Sequence, residues 1–150
     1  MKYQELVDVY SALENTTKRL EKTQIISNFL LKLDSTTLEQ VGLLILGSIF
    51  PAWSDKEIGI GNKLVMQAVG EAVGVTPDKV EDAVRDQGDI GLACISLYAK
   101  KSQTTFFSQP LTIDFVFKSL RKLSEKSGAR STKRKIDIIL EMLYISCGRR

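Results

Sequence analysis

An all-α fold, a compact bundle of about eight helices with no sheet, is what these 150 residues predict. Three observations lead there. Apolar residues recur at i, i+3, i+4 and i+7 in one segment after another, the spacing of a helix face. No segment alternates apolar and polar residues with period two, as a half-buried strand would. The segments are also punctuated, with capping residues at their starts and glycines at their ends. A chain of this length, 43% hydrophobic and 26% charged, can build one domain with a core, so residues 1–150 are read as a single domain.

The elements follow in order. Tyr3, Leu6, Val9, Tyr10 and Leu13 mark a first helix, which Thr16-Thr17 interrupts. A second carries Leu20, Ile25, Ile26, Phe29, Leu30 and Leu33 on its apolar side, with Lys18, Arg19 and Lys22 toward solvent. Thr36 and Glu39 fit a capping box for a third, Leu38 to Ile49, which is apolar nearly all round. A helix of that kind is expected at the buried centre, closed by Pro51, with Phe50 and Trp53 packed nearby. Ile58-Gly-Ile-Gly61 is an irregular bend that permits close backbone approach. Asn62–Val73 is helical and Gly74 stops it. Thr76-Pro77-Asp78 restarts the chain as N-cap, first-turn proline and first-turn acid, for a helix to about Arg85. Gly88-Asp-Ile-Gly91 turns into a helix over 92–101, residues 106–112 cross back extended, and Thr112 caps a helix with Val116, Leu120 and Leu123 inward. Gly128 ends that helix, and Ser131 stands where the N-cap of the last one belongs. Ile136, Ile139, Leu140 and Leu143 give it an apolar face.

Charge is unevenly placed. Residues 117–150 hold ten Lys/Arg against three Asp/Glu, whereas residues 1–116 hold eleven against fifteen. A basic C-terminal third on a mildly acidic body points to a localised anionic partner. The start of the last helix concentrates that charge. Arg130, Lys133, Arg134 and Lys135 surround a turn whose free N–H groups and positive dipole end suit a phosphate. A solvated basic first turn is the plain alternative.

Catalytic constellations are missing. Histidine, the commonest general base and metal ligand, is absent. Gly59-Ile-Gly61-Asn-Lys63-Leu64 lacks the spacing and hydroxyl of a P-loop, and the scattered carboxylates have no set spacing. Lys32-Leu-Asp34-Ser35 is close to the Lys-x-Asp-Gly motif of nucleotidyl transferases, but the glycine is replaced and the lysine is rejected as a nucleophile. Cys94 and Cys147 lie far apart in apolar helical contexts and read as reduced core thiols. No apolar run is long enough to span a bilayer and no signal peptide is visible, so a cytoplasmic location is expected. The uncapped end at Arg150 reads as a cut within a longer chain.

Several segments, in order and spacing, resemble the N-terminal DNA-binding domain of archaeal and eukaryotic-type ATP-dependent DNA ligases. They are Tyr3-x-x-Leu6 with Leu13-Glu-Asn-Thr16, Ile49-Phe-Pro-x-Trp53, Gly-Ile-Gly61 with Leu64 to Gly74, Gly88-Asp-Ile-Gly91, Phe106-Phe-Ser-Gln-Pro-Leu-Thr112 and Ser131-Thr-Lys-Arg-Lys-Ile-Asp137. The resemblance covers essentially the whole chain. It implies an all-helical module that grips the minor-groove face of nicked duplex DNA without reading sequence. The parent enzyme would join 5′-phosphate to 3′-hydroxyl ends in replication, repair and recombination, using ATP and Mg2+. Its adenylyltransferase and OB-fold domains, with the catalytic lysine, would lie beyond Arg150. The fragment alone is therefore expected to hold no cofactor and no ligase activity. Partners implied are nicked duplex DNA, the catalytic domains of the same chain and a sliding clamp; the implied location is the cytoplasmic nucleoid. The DNA contacts implied are Arg130, Ser131, Thr132, Lys133 and Lys135, with Arg19 and Lys22 at the start of the second helix as a further DNA-facing segment.

A helical protein-interaction scaffold that never meets nucleic acid is the competing reading, since packed helix pairs often build partner surfaces. No fixed-period repeat supports it.

Overall fold

The computed structural model describes residues 1–99, 110–126 and 131–147, the last of these without its side chain. Among the described residues there are eight helices and no strand: α1 (Tyr3–Glu14), α2 (Arg19–Leu30), α3 (Ser35–Ile45), α4 (Asn62–Val73), α5 (Pro77–Gln87), α6 (Ile90–Ala99), α7 (Ile113–Glu125) and α8 (Ser131–Cys147). They divide into two compact units, residues 1–57 with 110–121, and residues 58–99 with 122–126 and 131–147.

The first unit is built on a cluster of Leu6, Val9, Phe29, Val41 and Ile113. Tyr3, Tyr10, Leu13, Ile25, Leu30 and Leu33 close around it, as the helical spacing of α1 and α2 requires. Residues 110–112 run beside the start of the chain. The Tyr3 N–H donates to Leu111 O at 2.8 Å, and Lys2 and Thr112 form an isolated antiparallel bridge. Thr112 then caps α7, its hydroxyl accepting from the Phe115 N–H at 3.2 Å.

Three expectations for α3 are corrected. The helix expected to reach Ile49 ends at Ile45. Gly47 adopts φ 69° just after it; its N–H donates to Leu44 O and that of Ser48 to Leu43 O, both at 3.0 Å. This paired closure, with a left-handed glycine, satisfies carbonyls the helix would otherwise leave open. The helix is also not buried all round: only Gln40 and Val41 are buried, and Leu46 just past its end is 79% exposed. Its cap is Asp34 rather than a Thr36–Glu39 box; the Asp34 carboxylate accepts from the Thr37 N–H at 3.0 Å and the Thr37 hydroxyl at 2.7 Å.

Leu20, expected on the apolar side of α2, is 83% exposed. It precedes Phe29 by nine residues, and at about 100° per residue that is half a revolution, so the two cannot share a face. Trp53 is 87% exposed instead of packed. A turn closed by the Ser54 N–H on Pro51 O, 2.9 Å, carries it outward. Phe50 does pack, beneath the Arg121 guanidinium.

In the second unit α4 packs against α8, α5 and α6. Val69, Val73 and Val80 form its centre, with Val65, Cys94, Leu97 and Leu143 against them. Ile136, Ile139 and Leu140 are buried, so the face read from the α8 sequence is the one that packs. Gly70 sits where α4 meets the chain entering α5. A Cβ there would lie 2.9 Å from Val75 O and 3.4 Å from Val80 Cγ2, so only a glycine allows the approach. Gly74 ends α4 at φ 82°, and Pro77 occupies the first turn of α5, as expected. Asp89 takes the capping role for α6, accepting from the Leu92 N–H at 2.9 Å. Ser131 is the first helical residue of α8, not its cap. Gly128 and residues 106–109 lie outside the described residues, as does the Cys147 side chain; Cys94 is half-buried and forms no disulfide among the described residues.

Candidate nucleic-acid interface

The ten basic residues of the C-terminal third are not equally available. Lys118 is paired with Asp114 at 2.8 Å. Hydrogen bonds from Lys118 and from Gln40 hold the Asp114 carboxyl below the usual carboxylate range. Arg121 stacks 4.5 Å over the Phe117 ring and donates from Nε to Ile49 O at 3.2 Å, so it works inside the first unit.

Lys133 and Arg134, by contrast, stand exposed in the first turn of α8. None of the ion pairs among the described residues involves either of them. Thr132 beside them is exposed and Ser131 is half-buried. Arg130 lies outside the described residues. Here the uncompensated cations coincide with the positive end of a 17-residue helix.

Lys135 behaves differently. It is half-buried, and its Nζ donates to Gly59 O at 2.8 Å. The contact brings the bend at 58–61 against the start of α8. Gly59 has φ +63°, and a Cβ on it would lie 3.4 Å from Lys135 Nζ. The close backbone approach expected of this bend is therefore an approach to a lysine, and no local signal in the sequence names which one.

The bend leads directly into α4. Gly61 stands at its N-cap with no side-chain cap, and Asn62 and Lys63 are its first, exposed residues. The first helical amides have no intrahelical acceptor. Lys135 meets Gly59 at the head of α4, while Leu143, two turns on, packs at the Val69–Val73–Val80 cluster. The start of α8, with exposed Lys133 and Arg134, is thus held to the bend that leads into the uncapped start of α4. An anion such as a phosphate is favoured there by dipoles and charges together.

The second predicted segment belongs to the first unit. Lys18 is the N-cap residue of α2 and forms an ion pair with Glu21 at 2.8 Å. Hydrogen bonds from Lys18 and Thr16 hold the Glu21 carboxyl below its ordinary range. Arg19 and Lys22 are exposed, one turn apart, and enter none of the ion pairs among the described residues.

Asp34, in the segment close to the nucleotidyl-transferase motif, is committed to capping α3. Hydrogen bonds from Thr37 hold its carboxyl below the usual range. Among the described residues no group of three or more His, Cys, Asp or Glu is placed to hold a metal ion, and no helix is long and apolar enough to cross a membrane.

Residues 2–149 match the family model described as DNA ligase N terminus. The chain is 51% identical over 141 residues to a DNA ligase of Methanothermobacter thermautotrophicus, covering 94% of this chain and 25% of that protein. It is 45% identical over 136 residues to the DNA ligase of Thermococcus onnurineus, covering 91% and 24%. With the DNA ligase of Methanocaldococcus jannaschii it shares 33% identity over 143 residues, covering 93% and 25%. The chain thus spans about a quarter of the length of the curated relatives it matches.

Proposed function

Because the chain belongs to the DNA ligase N-terminus family, we propose that it is the duplex-binding part of an ATP-dependent DNA ligase and holds nicked DNA by its phosphates. The observation that carries this reading is the pair of exposed cations, Lys133 and Arg134, at the dipole end of α8, which enter no ion pair among the described residues. A ligase must act at any sequence, and phosphate contacts position a protein on a duplex without selecting bases. Ser131 and Thr132 add short polar donors to that turn, Arg130 precedes it, and Arg19 and Lys22 supply a second set of phosphate contacts.

Chemistry is assigned elsewhere. ATP, Mg2+, the catalytic lysine and nick sealing in replication, repair and recombination belong to the remaining three-quarters of a relative-length protein, so this chain alone has no ligase activity. The catalytic domains and a sliding clamp are its protein partners, and the nucleoid its place of work.

Fluorescence anisotropy of a labelled nicked duplex, titrated at several salt concentrations beside an intact duplex of equal length, tests the reading. Phosphate binding predicts an affinity that falls linearly on a log–log plot, with a slope of about −0.9 per contact. A protein-interaction scaffold predicts no binding at any salt, and that result would remove the proposal.

A further inference from the structure

On the reading just proposed, the head of α8 and the bend beside it must present one fixed surface. We infer that Lys135 is a positioning residue: its ammonium ties the 58–61 bend to α8, and it supports DNA binding through that tie, not by meeting a phosphate. Lys133 and Lys135 are two residues apart, so at about 100° per residue they point some 200° away from each other. Lys135 lies one turn ahead of buried Ile139, at the edge of the packed stripe, whereas Lys133 is turned to solvent. Its Nζ has its acceptor in Gly59 O at 2.8 Å, across 76 residues of sequence. Among the described residues this is the one hydrogen bond that reaches residues 58–60 from elsewhere in the chain. Asn62 and Lys63 follow the bend at once, so whatever loosens it also loosens the head of α4.

The test compares the 150-residue chain with Lys135→Met, Gly59→Ala and the double variant. Two readouts are taken: amide hydrogen exchange without DNA at Leu64 and Val65, whose N–H groups donate to Gly61 O at the end of the bend, and nicked-duplex affinity across salt. Lys135→Met keeps the length of the side chain and loses the donor. Exchange at these two amides is expected to rise about tenfold, the loss of one charge-assisted hydrogen bond. Affinity is expected to fall roughly three- to tenfold, with the log–log slope changing by less than half of the 0.9 that a lost phosphate contact gives. Gly59→Ala strains a left-handed position and crowds Nζ, so it should act on the same tie, and the double variant should be little worse than either single one. A slope reduced by about 0.9, unchanged exchange, unchanged affinity, or full additivity would each overturn the inference. If the unsubstituted chain binds no duplex, the functional reading fails and takes the DNA part of this inference with it; the exchange data still decide whether the tie exists.

Discussion

Replacing Lys133 and Arg134 together with alanine is expected to weaken nicked-duplex binding about thirtyfold at 0.15 M salt and to flatten the log–log salt dependence by about 1.8. The size follows from counterion release. Each phosphate contact contributes about 0.9 to the slope, so its share of the affinity grows by roughly fivefold between 1 M and 0.15 M salt, and two contacts multiply. Both side chains are exposed and neither enters an ion pair among the described residues, so the fold loses nothing with them. Thermal stability should stay within about 0.5 kcal/mol of the parent, as for ordinary surface substitutions. Salt-titrated anisotropy and a thermal melt on the same sample read both quantities. An unchanged slope would take these two residues out of the interface.

Leu6→Ala should have the largest effect on stability, and none that is specific to DNA. Leu6 is fully buried among Val9, Phe29, Val41 and Ile113. Truncation removes the buried methyl groups and leaves a cavity, at a cost of about 3 kcal/mol. For a chain of this size that lowers the melting temperature by roughly 6–12 °C. The same substitution at Leu20 removes a side chain that is 83% exposed, and should cost less than about 0.5 kcal/mol. Chemical denaturation of the two variants checks the contrast. Equal losses would mean that the first unit is not packed around Leu6.

That contrast also shows how far the sequence could be read. Where punctuation and periodicity agree, the elements are legible: Gly74, Thr76-Pro77 and Thr112 bound helices as their chemistry demands. The apolar stripe of α8 packs as its spacing requires. Periodicity failed where hydrophobicity was counted without its phase. Leu20 is apolar but half a revolution from Phe29. Leu38–Ile49 is rich in leucine and isoleucine, yet Gly47 ends the helix before Ile49 by adopting a left-handed backbone. A glycine inside an apolar run was the available signal there.

The candidate site was half legible. The concentration of lysine and arginine near residue 130 is visible in the charge distribution, but which cations remain free is a tertiary fact. Arg121 is taken up by two phenylalanine rings and a carbonyl, Lys118 by Asp114, and Lys135 by Gly59. The Lys135–Gly59 contact spans 76 positions, and helical spacing within α8 carries no information about its partner.

Competitive acylation of lysines, read by mass spectrometry with and without nicked duplex, meets the central claim most directly. If Lys133 lies against the phosphates, its acylation slows several-fold when the duplex is bound at low salt. The protection then vanishes near 1 M salt, where counterion release no longer favours binding. Should Lys133 react at the same rate in the free chain and in a chain shown to be DNA-bound, the duplex sits elsewhere and the head of α8 is only a wet, charged turn.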